Sequence, residues 1–344
     1  MWRAAAARCA GVAVAAVLLA GCGGGSGAEW FAFTSTRDGN AEVYYERADG
    51  TGLVDLSQNL ANDGQPSWSP DGREIAFTST RDLNGEIYVM NADGGKQRRV
   101  TYSKSINDTA PVWSPDGRKL AFMCTDAKPV TQICVADADG GDPLTLTSGT
   151  YDNLYPVWTP DSAALLFVSA RPSTRGQYAV YSVPASGGAS RLFASAPGGA
   201  GEPAYSPDGK TIAFIRRASA HGSWRLAEMN ADGSDVHVVP APSGRIDGPN
   251  WSPDGKRLVF SAVGPPPRSR SDLWVEAADG SGRVEITNGP GDSTAPQWSP
   301  NGSEIAFVRV AGSHVDIDVV KPDGSGERKL TSGQGKNGGP VWRP

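Results

Sequence analysis

Pro66-Ser67-Trp68-Ser69-Pro70-Asp71-Gly72 places an aromatic residue between two prolines and ends in a tight-turn tripeptide. The string is not unique. Its Pro-x-aromatic anchor returns at Pro111/Trp113, Pro156/Trp158, Pro203/Tyr205, Pro249/Trp251, Pro296/Trp298 and Pro340/Trp342, at intervals of 44 to 47 residues. A fixed period in this range signals a repeat architecture, in which one array can use most of a chain as a single domain. Within the string, Pro70 pre-sets a φ near −65° and Gly72 accepts a positive φ, so Ser-Pro-Asp-Gly reads as a turn.

Outward from each anchor the pattern continues. A strand-like triplet follows, as in Ile75-Ala76-Phe77, Leu120-Ala121-Phe122 and Ile212-Ala213-Phe214, and a further copy, Phe31-Ala32-Phe33, precedes the first anchor. Next come an alternating run such as Glu86-Ile87-Tyr88-Val89-Met90, an Asp-Gly hairpin turn (Asp49-Gly50, Asp93-Gly94, Asp139-Gly140, Asp232-Gly233, Asp279-Gly280), and a short segment ending in Val100-Thr101 or its equivalent. Period-two alternation over four to eight residues predicts strands. No segment of the repeat body holds a 3.6-residue apolar pattern long enough for a helix. Four strands in about 45 residues is the size of one propeller blade. The sequence therefore predicts an all-β propeller of four-stranded antiparallel blades over residues 30–344.

The phase predicts how the ring closes. The array begins within a unit, at Phe31-Ala32-Phe33, and ends within one, at Pro340-Val341-Trp342. The C-terminal strand can complete the blade begun by the N-terminal three, which would leave no open sheet edge at the seam. This count gives seven blades, with six as the alternative.

The first residues read as a targeting segment. Arg3 and Arg8 form a positive n-region and Gly11 to Ala20 a short apolar run, too brief for an ordinary spanning helix. Leu19-Ala20-Gly21-Cys22 resembles a bacterial lipobox, which implies a signal peptide over 1–21, lipidation of Cys22 and a flexible tether over 22–29. An acyl chain gains roughly 0.8 kcal/mol per buried CH₂. The expected location is extracytoplasmic, lipid-anchored on the periplasmic or cell-surface side of a bacterial membrane. Beyond Cys22 two cysteines remain, Cys124 and Cys134, on neighbouring strands of one expected hairpin; outside the cytosol a cross-strand disulfide is the expectation. The net charge of −5, without a basic block, argues against a nucleic-acid partner.

The units resemble the WD40-like (PD40) repeats of the TolB propeller. The matching pieces are Pro66–Gly72, Ile75-Ala76-Phe77-Thr78-Ser79, Arg81-Asp82 and Glu86–Met90. The resemblance implies a propeller in the bacterial envelope. TolB proteins carry an additional N-terminal α/β domain and six blades, so this chain departs from their pattern. Similar propellers precede the hydrolase domain of prolyl-oligopeptidase-like peptidases, but no Gly-x-Ser-x-Gly nucleophile elbow occurs here.

Candidate functional residues lie away from the anchor. The Trp series reads as packing between blades and the turn aspartates as turn residues, since the ligand-rich loop of a calcium site is missing. The loops on the other face vary in length and content, the usual setting for recognition on a rigid frame. Before the anchor prolines stand Asp63, Asp108, Asp152, Asp247, Asp292 and Asn337, expected as a partial acidic rim around one channel mouth; each could instead cap its own loop. Pro197–Gly201 interrupts the series. Arg37, Arg81 and Arg171 are candidate anion contacts, because a guanidinium forks onto carboxylate or phosphate. Gly264-Pro265-Pro266-Pro267 reads as a stiff protruding segment. His221, His237 and His314 lie in three different units, so no metal site or cofactor is expected. The expectation is a monomeric, membrane-anchored binding or scaffold propeller that recognises an envelope protein or peptide through its variable loops. The alternative is an envelope enzyme, a glycan lyase or hydrolase, acting at the channel mouth, although no catalytic constellation stands out.

Overall fold

The computed structural model describes residues 29–103, 107–125, 130–240, 245–264, 269–331 and 335–344. Seven four-stranded antiparallel sheets form a ring. Blade 1 joins the two ends of the chain, in the order Asn337–Trp342, Trp30–Ser35, Glu42–Arg47 and Val54–Asp55. Its closing pairs run from Phe31 opposite Trp342 to Ser35 opposite Asn337. Blades 2 to 7 begin with the inner strands Asp63–Trp68, Asn107–Trp113, Asn153–Trp158, Ala200–Tyr205, Ile246–Trp251 and Asp292–Trp298. The seven-blade count and the closure by the last strand hold.

The outer strand is shorter than the sequence pattern suggests. It has two residues in six blades, such as Arg98–Arg99, and four only in Arg191–Ala194 of blade 4. It stops before the Val100-Thr101 pair because Thr101 turns inward, where its Oγ1 accepts the N–H of Ile87 at 3.0 Å. Short outer strands limit the edge available for pairing with other chains.

The core lies in the seams between blades. Ala32, Val43 and Tyr45 of blade 1 pack with Trp68, Ile75 and Phe77 of blade 2, and the same arrangement joins Ala76, Ile87 and Val89 to Trp113, Leu120 and Phe122. The Phe of each triplet is fully or almost fully buried in every blade, from Phe33 to Phe307. A single blade exposes both apolar faces, so ring formation is what removes them from water.

The repeated Trp also carries a hydrogen bond. Each indole N–H donates to the inner-strand carbonyl of the preceding blade: Trp68 to Val341 (3.1 Å), Trp113 to Ser67 (3.1 Å), Trp158 to Val112 (3.0 Å), Trp251 to Ala204 (3.1 Å), Trp298 to Asn250 (3.3 Å) and Trp342 to Gln297 (3.0 Å). Tyr205 in blade 5 has no indole N–H and breaks the belt.

The Ser-Pro-Asp-Gly turn closes on itself. Asp71 accepts from Ser69 Oγ (2.7 Å) and from the Arg73 N–H (3.1 Å), while Gly72 sits at φ 65°. Ser114/Asp116, Ser206/Asp208 and Ser252/Asp254 repeat the bonds. The turns occupy one face of the ring, the turn face. The inner strands start from the opposite face, the loop face. Each inner strand carries a bulge three residues before its aromatic anchor, with positive φ at Gln65, Ala110, Tyr155, Glu202, Gly248, Ala295 and Gly339.

Candidate functional site

The six residues expected to form an acidic rim do not share one register. Asp63, Asp108 and Asn337 stand five residues before their anchor aromatic, Asp152 and Asp292 six, and Asp247 four. Because side chains alternate along a strand, one step changes what each one meets. Asp152 and Asp292 cap the preceding blade, accepting the backbone N–H groups of Thr131 (2.9 Å) and Ser271 (2.8 Å). Asn62 and Asn107 make the equivalent bonds to Ala41 and Gly85.

Asp63, Asp108 and Asn337 are buried and point into the seams. There they meet a polar junction that the sequence reading did not single out. In blade 2, Thr101 Oγ1 donates to Glu86 Oε2 (2.6 Å), beside Asp108 of blade 3. At the next junction, Thr147 of blade 3 and Asn153 of blade 4 both donate to Gln132 Oε1 of blade 3 at 2.8 Å. Glu42 and Ser57 stand at the same places near Asp63, Thr287 bonds Ser293, and Asp316 accepts from Thr331 and Asn337. Burial, opposed by hydrogen bonds from Thr101 and Ser103, raises the Asp108 carboxyl to about 6. The junctions flanking blade 5 lack this arrangement. Ala179 and Ala200 stand at one and Ile246 at the other, all buried and apolar.

The three candidate arginines also serve the frame. Arg81 stacks on Tyr88, 4.4 Å from the ring centroid, and pairs with Asp63 at 2.7 Å. Arg37 lies over Tyr44 and reaches Asn337 Oδ1 at 3.4 Å, and Arg171 lies over Tyr181 and bonds Asn153 Oδ1 at 3.0 Å. Each reaches the inner strand of its own blade. A Ser-x-Arg after the Phe triplet, with an aromatic on the next strand, was the available signal.

Blade 5 and its neighbours carry what the regular junctions do not. Glu202 occupies the bulge position of blade 5, and its Oε2 accepts the Gly248 N–H at 2.6 Å. Burial, and then the charge of Asp247, hold its carboxyl well above the usual range. Asp247 pairs with Arg245 at 2.7 Å, and burial with the nearby Glu202 raises the Tyr155 phenol. This cluster can present a carboxyl that exchanges a proton close to neutrality beside an ion pair.

The loop face also shows apolar side chains to solvent. Leu60 and Leu83 are fully exposed and Tyr102 is 65% exposed. Hydrogen bonds stitch their three loops together: the Thr80 N–H donates to Asn62 O (3.0 Å) and Asn84 Nδ2 to Ser103 O (2.7 Å). Leu83 holds φ 78°, an unfavourable conformation for a branched side chain.

The turn face opens differently. The Trp belt and the turn prolines line a central funnel of about 130 Å³, with Val112, Ala204 and Gln297 deeper in its wall. Cys124 and Cys134 form a disulfide with Cα atoms 5.9 Å apart, diagonal across the pair that sets Cys124 opposite Gln132. Cys22 and the 264–267 segment beyond Gly264 lie outside the described residues. Among the described residues no group of three or more His, Cys, Asp or Glu side chains is placed to hold a metal ion, and no helix is long and apolar enough to cross a membrane.

A ring of seven WD40-like blades closed by the C-terminal strand defines a β-propeller, and comparison with known families specifies the kind. The TolB beta propeller domain (PD40) matches residues 26–110, 106–265 and 218–344, so the chain belongs to that family. No curated protein matches by sequence. Among solved structures, TolB from Acinetobacter baumannii is similar at TM-score 0.60 and 20% identity, over 93% of this chain and 68% of that one. An oligogalacturonate lyase in complex with manganese superposes at TM-score 0.65 and 14% identity, over 89% and 86%. A Mycobacterium tuberculosis puromycin-hydrolyzing peptidase gives TM-score 0.68 and 16% identity; this chain covers 54% of its length, with 93% of its own. The fold is common to proteins of quite different activity.

Proposed function

We propose that this protein is an extracytoplasmic binding propeller, anchored through Cys22, that docks a protein or peptide partner of the cell envelope on its loop face. The observation that carries this reading is the exposed apolar group Leu60, Leu83 and Tyr102 on three loops joined in series by hydrogen bonds. Apolar side chains held in water on an ordered surface mark interaction sites, and a few such residues dominate the energy of a typical interface. The Glu202, Arg245 and Asp247 cluster supplies polar contacts on the inner strands of blades 5 and 6.

The anchor reading gives the ring an orientation. Trp30 starts its strand at the turn face, opposite the end of the inner strand at Trp342. Eight residues, 22–29, would separate the lipid from the ring. Fully extended they span less than ~30 Å. The turn face then looks toward the membrane and the loop face toward a partner.

The test is chemical crosslinking of the protein in its native envelope, comparing the wild type with a Leu60→Ser/Leu83→Ser/Tyr102→Ser variant. A defined partner band that disappears in the variant, at unchanged thermal stability, supports the reading. A band that persists at full strength places the contact elsewhere.

A further inference from the structure

The third strand of each blade carries one residue that packs toward the following blade. It is Tyr45, Val89, Val135, Ser182, Val275 and Val319 in six blades, each paired across the strand with the small or aliphatic second residue of the Phe triplet. In blade 5 it is Glu228, opposite Ala213. A carboxyl in a valine position carries a desolvation cost that the fold does not require.

Glu228 is only 6% exposed, and its Oε1 has no hydrogen-bond partner. Its Oε2 lies 3.9 Å from Nε2 of the half-exposed His237, too far for a hydrogen bond. The other buried acid nearby, Glu276, is already held by Arg283 at 2.8 Å. Burial raises the Glu228 carboxyl to about 7, with His237 opposing the rise and Glu276 adding to it.

Glu228 also lines a cavity. On the turn face, between blades 5 and 6, a crevice of about 410 Å³ is bounded by the Pro207-Asp208 and Pro253-Asp254 turns, Thr211 and Trp251. Burial acts to raise both carboxyls, most at Asp254, but hydrogen bonds from Ser206 and Lys210 to Asp208, and from Ser252 and Lys256 to Asp254, hold both below the usual carboxylate range. Both carboxylates are therefore charged at neutral pH at the lip, with the buried carboxyl in the wall. Lys210 touches Asp208 only at 3.8 Å, with both side chains largely in solvent.

We propose that this crevice binds a primary ammonium group on an alkyl stem, the lysine side chain being the fitting form, with Glu228 as its counter-ion and the Trp251 side as its apolar wall. A compact ammonium offers three donors to the carboxylates, and a four-carbon stem can lie along apolar surface while its charge reaches a recessed acid. The site lies on the face opposite the proposed docking loops and does not depend on them.

The test titrates the full-length protein with Nα-acetyl-L-lysine methylamide and follows the Trp251 indole resonance by NMR. Saturable binding at a single site is expected. Glu228→Gln and Glu228→Val should each weaken it at least about tenfold, the loss of one charge-assisted contact. Glu228→Val gives the residue found at this place in four of the other blades, so its thermal midpoint should not fall below that of the wild type. The norleucine analogue, with a similar stem and no charge, should not compete. The proposal is overturned if the lysine probe gives no saturable shift, if Glu228→Val binds it equally well, or if calcium, ethanolamine or the arginine analogue binds the crevice more tightly.

Discussion

Trp68 donates its indole N–H to the carbonyl of Val341 across 3.1 Å, tying the second blade to the strand that ends the array. Arg343 strengthens the same seam, with Nε on Gly72 O at 2.9 Å and Nη1 on the Tyr45 hydroxyl at 3.2 Å. The ring is closed by six residues, Asn337–Trp342, pairing with Trp30–Ser35. Deleting residues 340–344 should therefore expose Phe31 and its neighbours and abolish a single cooperative transition. Trp342→Ala alone should cost about 3–5 kcal/mol. Thermal unfolding followed by circular dichroism reads both.

The belt of indoles can be tested against its one gap. Trp113→Phe removes the bond to Ser67 O and should lower stability by roughly 1–3 kcal/mol, because a buried carbonyl loses its partner. Tyr205→Phe has no such bond to lose and should cost under about 1 kcal/mol. Urea midpoints that fall equally for the two would show that the indole bond adds nothing measurable to the seam.

Arg81 distinguishes scaffold from ligand contact. Its guanidinium neutralises the buried Asp63 and covers Tyr88. Arg81→Ala leaves a buried carboxylate without its cation, held only by hydrogen bonds such as that from Asn59 Nδ2 at 2.9 Å, and breaking a buried pair typically costs about 3–5 kcal/mol. A variant that kept wild-type stability would return Arg81 to the candidate anion contacts.

Asp108 gives a pH signature. Its carboxyl is raised from 3.8 to about 6 in the folded state. The folded protein thus binds this proton more tightly than the unfolded chain, and stability is lost as pH rises from about 4 to about 6, then levels. Asp108→Asn removes that loss. The variant should gain on the wild type across this window, by up to about 3 kcal/mol at neutral pH, since one pKa unit is worth about 1.4 kcal/mol. Denaturant titrations at pH 4.5 and 7.5 would show the difference; a pH-independent gap would mean that Asp108 is ionised throughout.

The disulfide makes a local contribution. Cys124 and Cys134 are ten residues apart. Closing so short a loop restricts the unfolded chain by roughly 2–3 kcal/mol. Reduction should lower the unfolding midpoint accordingly without altering the far-ultraviolet spectrum of the folded state. An unchanged midpoint would show that the bridge adds nothing to the seams around it.

The repeat made the scaffold legible residue by residue. The alternation of Glu86–Met90, the Phe of each triplet and the Pro-Asp-Gly turns each answer to local rules: pleat period, burial of an aromatic, and allowed φ. Register inside a loop is not local. Asp152, Asp247 and Asp292 look equivalent to Asp63 in sequence, yet one-residue differences send them to backbone caps or to Arg245. The informative departures were visible only once positions could be matched across strands. Glu228 reads as one more charge in an alternating strand until Val89, Val135, Val275 and Val319 are seen to share its place.

The sequence by itself determined an all-β ring of four-stranded blades closed by Pro340-Val341-Trp342, with seven blades read from its phase and six as the alternative, because turn chemistry and strand period are properties of neighbouring residues. Only the tertiary structure decided which polar side chains hold the frame and which face solvent or a cavity. The blades meet across long sequence distances, from Trp68 to Val341 and from Glu228 to Trp251, and a carboxyl's partners there are set by the opposing blade. The tertiary structure joins Asp63 and Arg81 in an ion pair within blade 2, leaves Leu60 and Leu83 in solvent, and buries Glu228 without a partner for its Oε1.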